Sequence, residues 1–301
     1  MEIKCPHCKN KEVIKRGYFT TAKNGKTQRY FCKSCNKKFV PRNAFYRMRN
    51  SEKKITLCLD LFYRGVSTRK IQEHLRAFYP HNSDHTNIYR WIIKYSNIIS
   101  TFTDSLKLQV GKEMQIDEVR FNRRKHHRRK GAEVNWSIDS IDSKTRFMVS
   151  SAFTQKRDLK EIKQVLSVAK KKTENQFEII TSDGWRAYPD AIRKVWGFKN
   201  RQHFDTKVIH NKVKASKGEG FNILIERLHN NLRHRTKTFR GFHGSVESAN
   251  TIMKGWAIYY NFITKHQAIK CCPYQLATDL KLNSENKWLE LINMSPINDN
   301  R

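Results

Sequence analysis

Acidic residues are scarce in this chain of 301 residues: 27 Asp or Glu stand against 60 Lys or Arg, a formal net charge of +33. A surface so one-sided repels itself unless a polyanion shares it, which points to nucleic acid as partner and leaves an anionic membrane surface as the minor alternative. Long apolar runs are missing too. No stretch approaches the roughly 20 apolar residues of a spanning helix, and the opening MEIKCPHC has no apolar signal-peptide core, so a cytoplasmic, nucleoid-associated protein without a membrane partner is expected. The arginine and aromatic signature of the known RNA modules is also lacking, which sets RNA behind DNA. A hydrophobic content of 38% with 17 Phe, 11 Tyr and 6 Trp excludes wholesale disorder.

What is present begins with cysteine. Four of the seven form two knuckles, Cys5-Pro6-His7-Cys8 and, after 23 residues, Cys32-Lys33-Ser34-Cys35. Two CxxC pairs at this distance read as a tetrahedral thiolate site for structural Zn2+, with a redox or free-thiol pairing as the alternative. Val13, Ile14, Gly17, Tyr18 and Phe19, a turn at Lys23-Asn24-Gly25-Lys26, then Tyr30 and Phe31 have the pattern of a hairpin. The expected module is a zinc ribbon over residues 1–43, too small to fold without its metal. Cys58 lies in an apolar helical pattern and is expected in a core.

Residues 44–100 are expected to form a helix-turn-helix DNA-binding unit. Ile55, Cys58, Leu59 and Phe62 recur at helical spacing, Gly65-Val66-Ser67-Thr68 interrupts them, and Ser67 is a natural N-cap for a helix through Leu75. A third helix begins near Ser83, where Asn87 and Arg90 stand among apolar residues, as on a recognition helix. A plain three-helix packing unit is the alternative.

From residue 112 the pattern becomes strand-like. Gln115-Ile116-Asp117-Glu118-Val119 alternates, residues 134–138 follow, and Arg146-Phe147-Met148-Val149 opens a third strand. A basic run including Arg123, Arg124 and Lys125 joins the first two and is expected to be a solvated loop near the first carboxylate. Residues 158–171 read as helix, 178–181 as a buried strand and 184–196 as helix, an order that gives an α/β, ribonuclease-H-like core with a mixed five-stranded sheet over residues 110–280 and a tail over 281–301.

Three acids fall where chemistry needs them: Asp117 in the first strand, Asp183 at the end of the fourth, and Glu226 on a later helix. At about 100° per residue, Leu224, Ile225, Leu228 and Leu232 fall within roughly 60° of Phe221, while Asn222, Glu226, His229 and Arg233 make a polar line beside that stripe. Random placement or a surface ion pair could also yield that line. Three convergent carboxylates suit two hard cations, Mg2+ or Mn2+. Asp139 and Asp142 compete as carboxylates but read as turn formers, and Asp205 opens an expected fifth strand. Trp185, Trp256, Tyr259 and Tyr260 could stack on bases, with core packing the preferred reading for Trp256 and the two tyrosines.

These motifs resemble those of the DDE transposases of bacterial and archaeal insertion sequences, over nearly the whole chain. Gln115-Ile116-Asp117-Glu118 resembles the first aspartate motif and Thr181-Ser182-Asp183-Gly184 with Tyr188 the second; the stretch from Asn222 through Glu226 and His229 to Arg233, then Phe239-Arg240-Gly241-Phe242, is similar to the third. Tyr260-Asn261-Phe262, His266 and Pro273 resemble the close of such domains. The 42 residues between Asp183 and Glu226 exceed the spacing of compact members and imply a loop inserted around 207–220. The resemblance implies a prokaryotic host, a homodimer or larger assembly on double-stranded DNA (element ends and target), catalysis by Asp117, Asp183 and Glu226, and DNA contacts from Arg233 and its neighbours. His229, Asn87, Arg90, Arg123, Arg124 and Lys125 are the further candidates for DNA contact. A nuclease without strand joining and an inert DNA-binding derivative are the rival readings.

Overall fold

The alternating residues after Lys112 form the longest strand of the sheet in the computed structural model. The structure describes residues 3–21, 25–40, 43–46, 48–79, 83–124, 132–200, 205–213, 222–238 and 241–296.

At the N-terminus, β1 (Val13–Thr21) and β2 (Gly25–Cys32) pair antiparallel, and β3 (Lys38–Phe39) adds to β2. Cys5, Cys32 and Phe39 form a small buried cluster of their own. Both knuckles turn through a left-handed residue one place after the second cysteine, Lys9 (φ 61°) and Asn36 (φ 55°). This repeated turn brings the four sulfurs together.

Three capped helices follow. In α1 (Glu52–Tyr63) and α2 (Thr68–Phe78), the hydroxyls of Ser51 and Ser67 accept the amides of Lys54 and Lys70; in α3 (His85–Thr103), Asp84 accepts Thr86. Ile55, Leu59, Ile71, Leu75, Ile88, Ile92 and Ile99 are fully buried, as is Cys58. The apolar stripe of α3 continues past residue 100, and one hydrophobic core runs from these helices into the sheet domain.

The sheet comprises β4 (Glu113–Arg124), β5 (Glu133–Asp142), β6 (Met148–Thr154), β7 (Ile179–Ser182) and β10 (Ile209–Lys212), in the order β10-β7-β4-β5-β6. The first three strands are antiparallel; β7 and β10 run parallel to β4, with α4 (Leu159–Lys172) and α5 (Ala187–Trp196) in the crossovers. This is the ribonuclease-H-like arrangement. A short pair, β8 (Phe198–Asn200) with β9 (Asp205–Thr206), precedes β10. Part of the expected inserted loop is therefore the fifth strand, which begins at Ile209 rather than Asp205; the remainder, 214–221, lies outside the described residues.

Helix α6 (Ile223–Thr238) lies against β4 and β5, and β11 (Phe242–His243) pairs with the far end of β4. Helix α7 (Val246–Ile258) and the π-helical turn Tyr259–Ile263 follow. The turn places Asn261 against the edge strand β6: its Oδ1 accepts Met148 N (2.8 Å) and its Nδ2 donates to Met148 O (2.9 Å). One carboxamide thus satisfies two backbone groups at an open sheet edge.

After α8 (Tyr274–Ala277), residues expected as a tail include α9 (Lys287–Met294), which packs on α1 and α3. Trp288 is 2% exposed, stacks on Tyr63 and donates from Nε1 to Asp60 (3.2 Å); burial of so large an apolar surface holds the segment down. Among the described residues no helix is long and apolar enough to cross a membrane.

Gly255 of α7 lets the helices meet. A Cβ there would sit 1.9 Å from Tyr63 Oη and 2.4 Å from Ser96 Oγ, two groups hydrogen-bonded to each other at 2.8 Å in the core. Gly255→Ala is expected to lower stability by about 1–3 kcal/mol through overpacking, whereas Gly197→Ala, with nothing near its Cβ, carries only the strain of its positive φ. Chemical denaturation of the two variants checks this.

Candidate active site

Register brings the first two acids together. Gln115 of β4 lies opposite Thr181 of β7 in parallel pairing, so two residues further along both strands Asp117 and Asp183 emerge at the same level, where β7 has ended. Asp183 Oδ1 accepts the amide of Trp185 at 3.0 Å, turning the chain away from the sheet. Glu118 completes the group: one oxygen from each of Asp117, Glu118 and Asp183 lies within 4.8 Å of the others. Glu226 is not in this set; it stands exposed in the first turn of α6, close enough for its charge to act on Asp117.

The position of α6 is set from the sheet. Gln115 is buried, and its Oε1 accepts the amides of Leu224 (3.1 Å) and Ile225 (3.3 Å), two of the donors a helix start leaves unpaired. The strand carrying Asp117 therefore holds the helix carrying Glu226.

A second tie passes through His229. Asp117 and Asp139 face each other directly across β4 and β5, an arrangement that repels when both are charged. The His229 ring stands between them, with Nδ1 3.7 Å from Asp117 and Nε2 3.2 Å from Asp139. The other Asp139 oxygen accepts Ser137 Oγ (3.1 Å) and Ser151 Oγ (2.6 Å). Asp139 is thus a buried strand residue that holds His229, not the expected turn former. Asp142 does form the turn, accepting Thr145 N (2.7 Å) and Gly111 N (3.0 Å).

Glu118 faces a different set of partners. Tyr188 of α5 donates its hydroxyl to Glu118, and Arg157 forms an ion pair with Glu118 and approaches Asp183 at 3.8 Å. The Arg157 guanidinium packs on Trp185 (4.1 Å) and more loosely on Trp136 (5.2 Å), giving Trp185, which also packs against the core, a cation partner. Burial raises the Glu118 carboxyl to about 7, with Asp117 and Asp183 adding to the rise and Tyr188 and Arg157 opposing it. Burial also pushes Asp117 above the usual aspartate range; His229 and the Glu118 amide pull it back, and Asp183 and Glu226 push it up again. Clustered hard oxygens whose charges resist coexistence are the donor set that a divalent cation relieves.

The second metal-compatible group is the four cysteines. Cys5 and Cys35 sulfurs are 3.5 Å apart, as are those of Cys8 and Cys32, near the roughly 3.8 Å edge of a tetrahedron with metal–sulfur bonds of about 2.3 Å. Burial alone would raise the Cys32 thiol, but the amides of Cys35 and Ser34 and the neighbouring thiols bring it to about 6.

Several expected DNA contacts stand elsewhere than the sequence suggests. His229 is 3% exposed because its side of α6 turns toward the sheet, so it faces two carboxylates rather than DNA. Arg123 is 2% exposed: it belongs to β4, not to a loop, and bonds Glu133 (2.7 Å), Asn135 (3.2 Å) and the carbonyl of Gly244. Lys125 lies outside the described residues. Arg124, Arg233, Asn87 and Arg90 are exposed. Trp256 and Tyr260 are buried and Tyr259 partly so, in keeping with core packing.

Residues 135–267 match the family model of a DDE domain, the domain of insertion-sequence transposases. This segment is similar to a DDE domain. The match contains Asp183 and Glu226 and begins beyond Asp117 and Glu118. No curated protein matches the chain. This similarity supports a transposase-type, DNA-cutting function with DNA as partner.

The residues that sequence reasoning passed over are Glu118, Arg157 and Asp139. A signal existed for Glu118, which directly follows Asp117, but strict strand alternation sends adjacent side chains to opposite faces and argues for only one of them. With no metal bound, ionisation of Glu118 opposes folding. Because its pKa is raised in the fold, stability is expected to fall as pH rises from about 4.5 to about 7, by on the order of 3 kcal/mol. Denaturant titrations in chelator across that range should show this slope in the wild type and its flattening in Glu118→Gln.

Proposed function

We propose that the protein is a transposase that binds the ends of its mobile element and cleaves and joins DNA at a carboxylate centre formed by Asp117, Asp183 and Glu226. The observation that carries this reading is the meeting of Asp117, Glu118 and Asp183, with the charge of Glu226 reaching Asp117 from a helix anchored on the same strand. Bound to these oxygens, two Mg2+ or Mn2+ ions would activate a water or 3′-hydroxyl for in-line attack and stabilise the leaving oxygen.

The chain's own residues do the rest. Asp139 and His229 hold Asp117 in position. Arg157 and Tyr188 fix Glu118, and the proximity of Arg157 to Asp183 restrains that side chain as well. Arg233, two helical turns beyond Glu226 on the same exposed side, is set to contact a phosphate beside the scissile one. Asn87 and Arg90 on α3, in a helix-turn-helix role, and Arg124 supply further contacts. The four-cysteine module, the helical unit and the DDE core act as separate functional units, the first holding Zn2+. Because two element ends must be processed together, a homodimer or larger assembly on DNA is expected.

Incubation with supercoiled plasmid and with oligonucleotides carrying the element ends, in Mg2+ or Mn2+ against chelator, tests the reaction. Wild type should give cleaved and joined products that disappear with chelator. Asp183→Asn and Glu226→Gln should each fall by at least about 100-fold, the consequence of losing roughly 3 kcal/mol of transition-state stabilisation. Cleavage without joining would reduce the reading to a nuclease; variants as active as wild type would refute the site. Elemental analysis should separately find about one zinc per chain, lost in Cys8→Ser together with the folded ribbon.

A further inference from the structure

A cleft of about 600 Å³ opens on the other side of α6, bounded by the end of α1, the π-helical turn and residues 264–268. Five cations line it: Arg64, Arg146, Arg227, Arg235 and Lys265. No carboxylate does so among the described residues. Arg64 has its own ion pair with Asp60 at 2.6 Å outside the lining, but Arg146, Arg227 and Lys265 form no ion pair among the described residues. His234 and His266 add imidazoles.

Two of these cations are costly to keep. Arg235 is 6% exposed, stacks over Phe62 at 4.4 Å, and is brought down by burial to about 10. The Nη1 of Arg146 is buried and donates to no hydrogen-bond partner among the described residues, while its charge helps burial to lower His266. The desolvated guanidinium of Arg146, set beside Arg227 and Lys265 in a lining without carboxylates among the described residues, is stabilised by an anion, and its planar fork matches phosphate oxygens.

The wheel of α6 relates this cleft to the carboxylates. Measured from Glu226 at about 100° per residue, His234, Arg227, Asn231 and Arg235 point about 80°, 100°, 140° and 180° away, whereas His229 and Arg233 stay within about 60° on the opposite side. One face of the helix serves the acids and the other lines the cleft. Exposed Lys237 and His234, about 20° and 80° from Glu226, lie between it and the cleft, while exposed Arg233 stands on the other side of Glu226. A polyanion that leaves the carboxylates meets Lys237 and then Arg227 on its way over α6 to the cleft.

We propose that this cleft is a second DNA-binding site, which grips the phosphodiester backbone of the strand that passes over α6 from the carboxylate centre. The proposal rests on the transposase reading for the direction of the strand, though not for the anion chemistry of the cleft. A helix is about 10–12 Å across and phosphates advance about 3.4 Å each along a strand, so the gripped phosphates lie about three or four nucleotides from the scissile one.

Lysine acetylation of the full-length protein, read by mass spectrometry with and without a 40-base-pair duplex of random sequence, tests it. Lys265 should be protected by the duplex. The exposed double variant Arg227→Ala/Lys265→Ala should bind that duplex with a slope of log affinity against log salt shallower by about 1.8, two phosphates at about 0.9 each. Asp183→Asn and Glu226→Gln should retain the wild-type slope. Equal modification of Lys265 with and without duplex, or an unchanged slope in the double variant, would overturn the proposal. Protection by inorganic phosphate but not by duplex would also overturn it and assign a small-anion site. Protection of Lys265 in a protein that yields no metal-dependent product would leave the cleft standing while the catalytic reading fell.

Discussion

The side chain of Gln115 receives the first amides of α6, and the arrangement of the site follows from that contact. A helix packed on a sheet by apolar contacts alone is free to slide by fractions of a turn, because Leu and Ile surfaces carry little directional information. Hydrogen bonds from Leu224 and Ile225 remove that freedom at the end of the helix that bears Glu226. Their partner stands two residues before Asp117 on the same face of β4, so the separation of the two acids is set within one strand and one helical turn. The parallel pairing of β4 with β7 sets the position of Asp183 in the same way. Asp117 and Asp183 are thus located by strand register, and Glu226 by the side chain of Gln115.

The charges around these acids form two distinct systems on the two sides of β4. On one side, His229 separates Asp117 from Asp139, whose remaining oxygen is occupied by serine hydroxyls. On the other, Arg157 and Tyr188 engage Glu118. The raised Asp117 and Glu118 carboxyls measure what remains unbalanced after those partners have acted. A protein of net charge +33 has cations in abundance, yet only one guanidinium pairs with the three clustered carboxylates among the described residues. The site keeps its negative potential in a positive molecule.

Much of this was legible in the sequence where local chemistry dominates. The cysteine knuckles, the Ser67 cap, the helical spacing of α1 and the order of strands and helices follow from spacing and turn chemistry, which act over a few residues. The apolar stripe of α6 was equally readable, since Ile225, Leu228 and Leu232 are all buried. Harder to read were the properties that depend on what lies across the sheet. Arg123 looks like the start of a basic loop until β11 and Gly244 close over it, and Asp139 looks like a turn residue until β5 proves to extend to Asp142. His229 was correctly set on the polar line of its helix, but a helical wheel does not say that a line beside an apolar stripe can itself be covered. Helix α9 eluded the reading because its partners, Tyr63 and Asp60, lie more than 200 residues earlier.

Helix α3 runs without interruption from the exposed Asn87 and Arg90 to the core it shares with α7, where Gly255 allows contact at backbone distance. Nineteen residues at about 1.5 Å each make a rod of about 28 Å. Whatever touches its N-terminal turns is therefore held at a constant reach from the sheet, with no hinge along the rod to absorb a displacement. The molecule carries a ruler. Inserting or deleting a single residue in it would change length by only about 1.5 Å but rotate everything beyond by about 100°, so the alignment of its two ends is guarded far more strictly by angle than by distance.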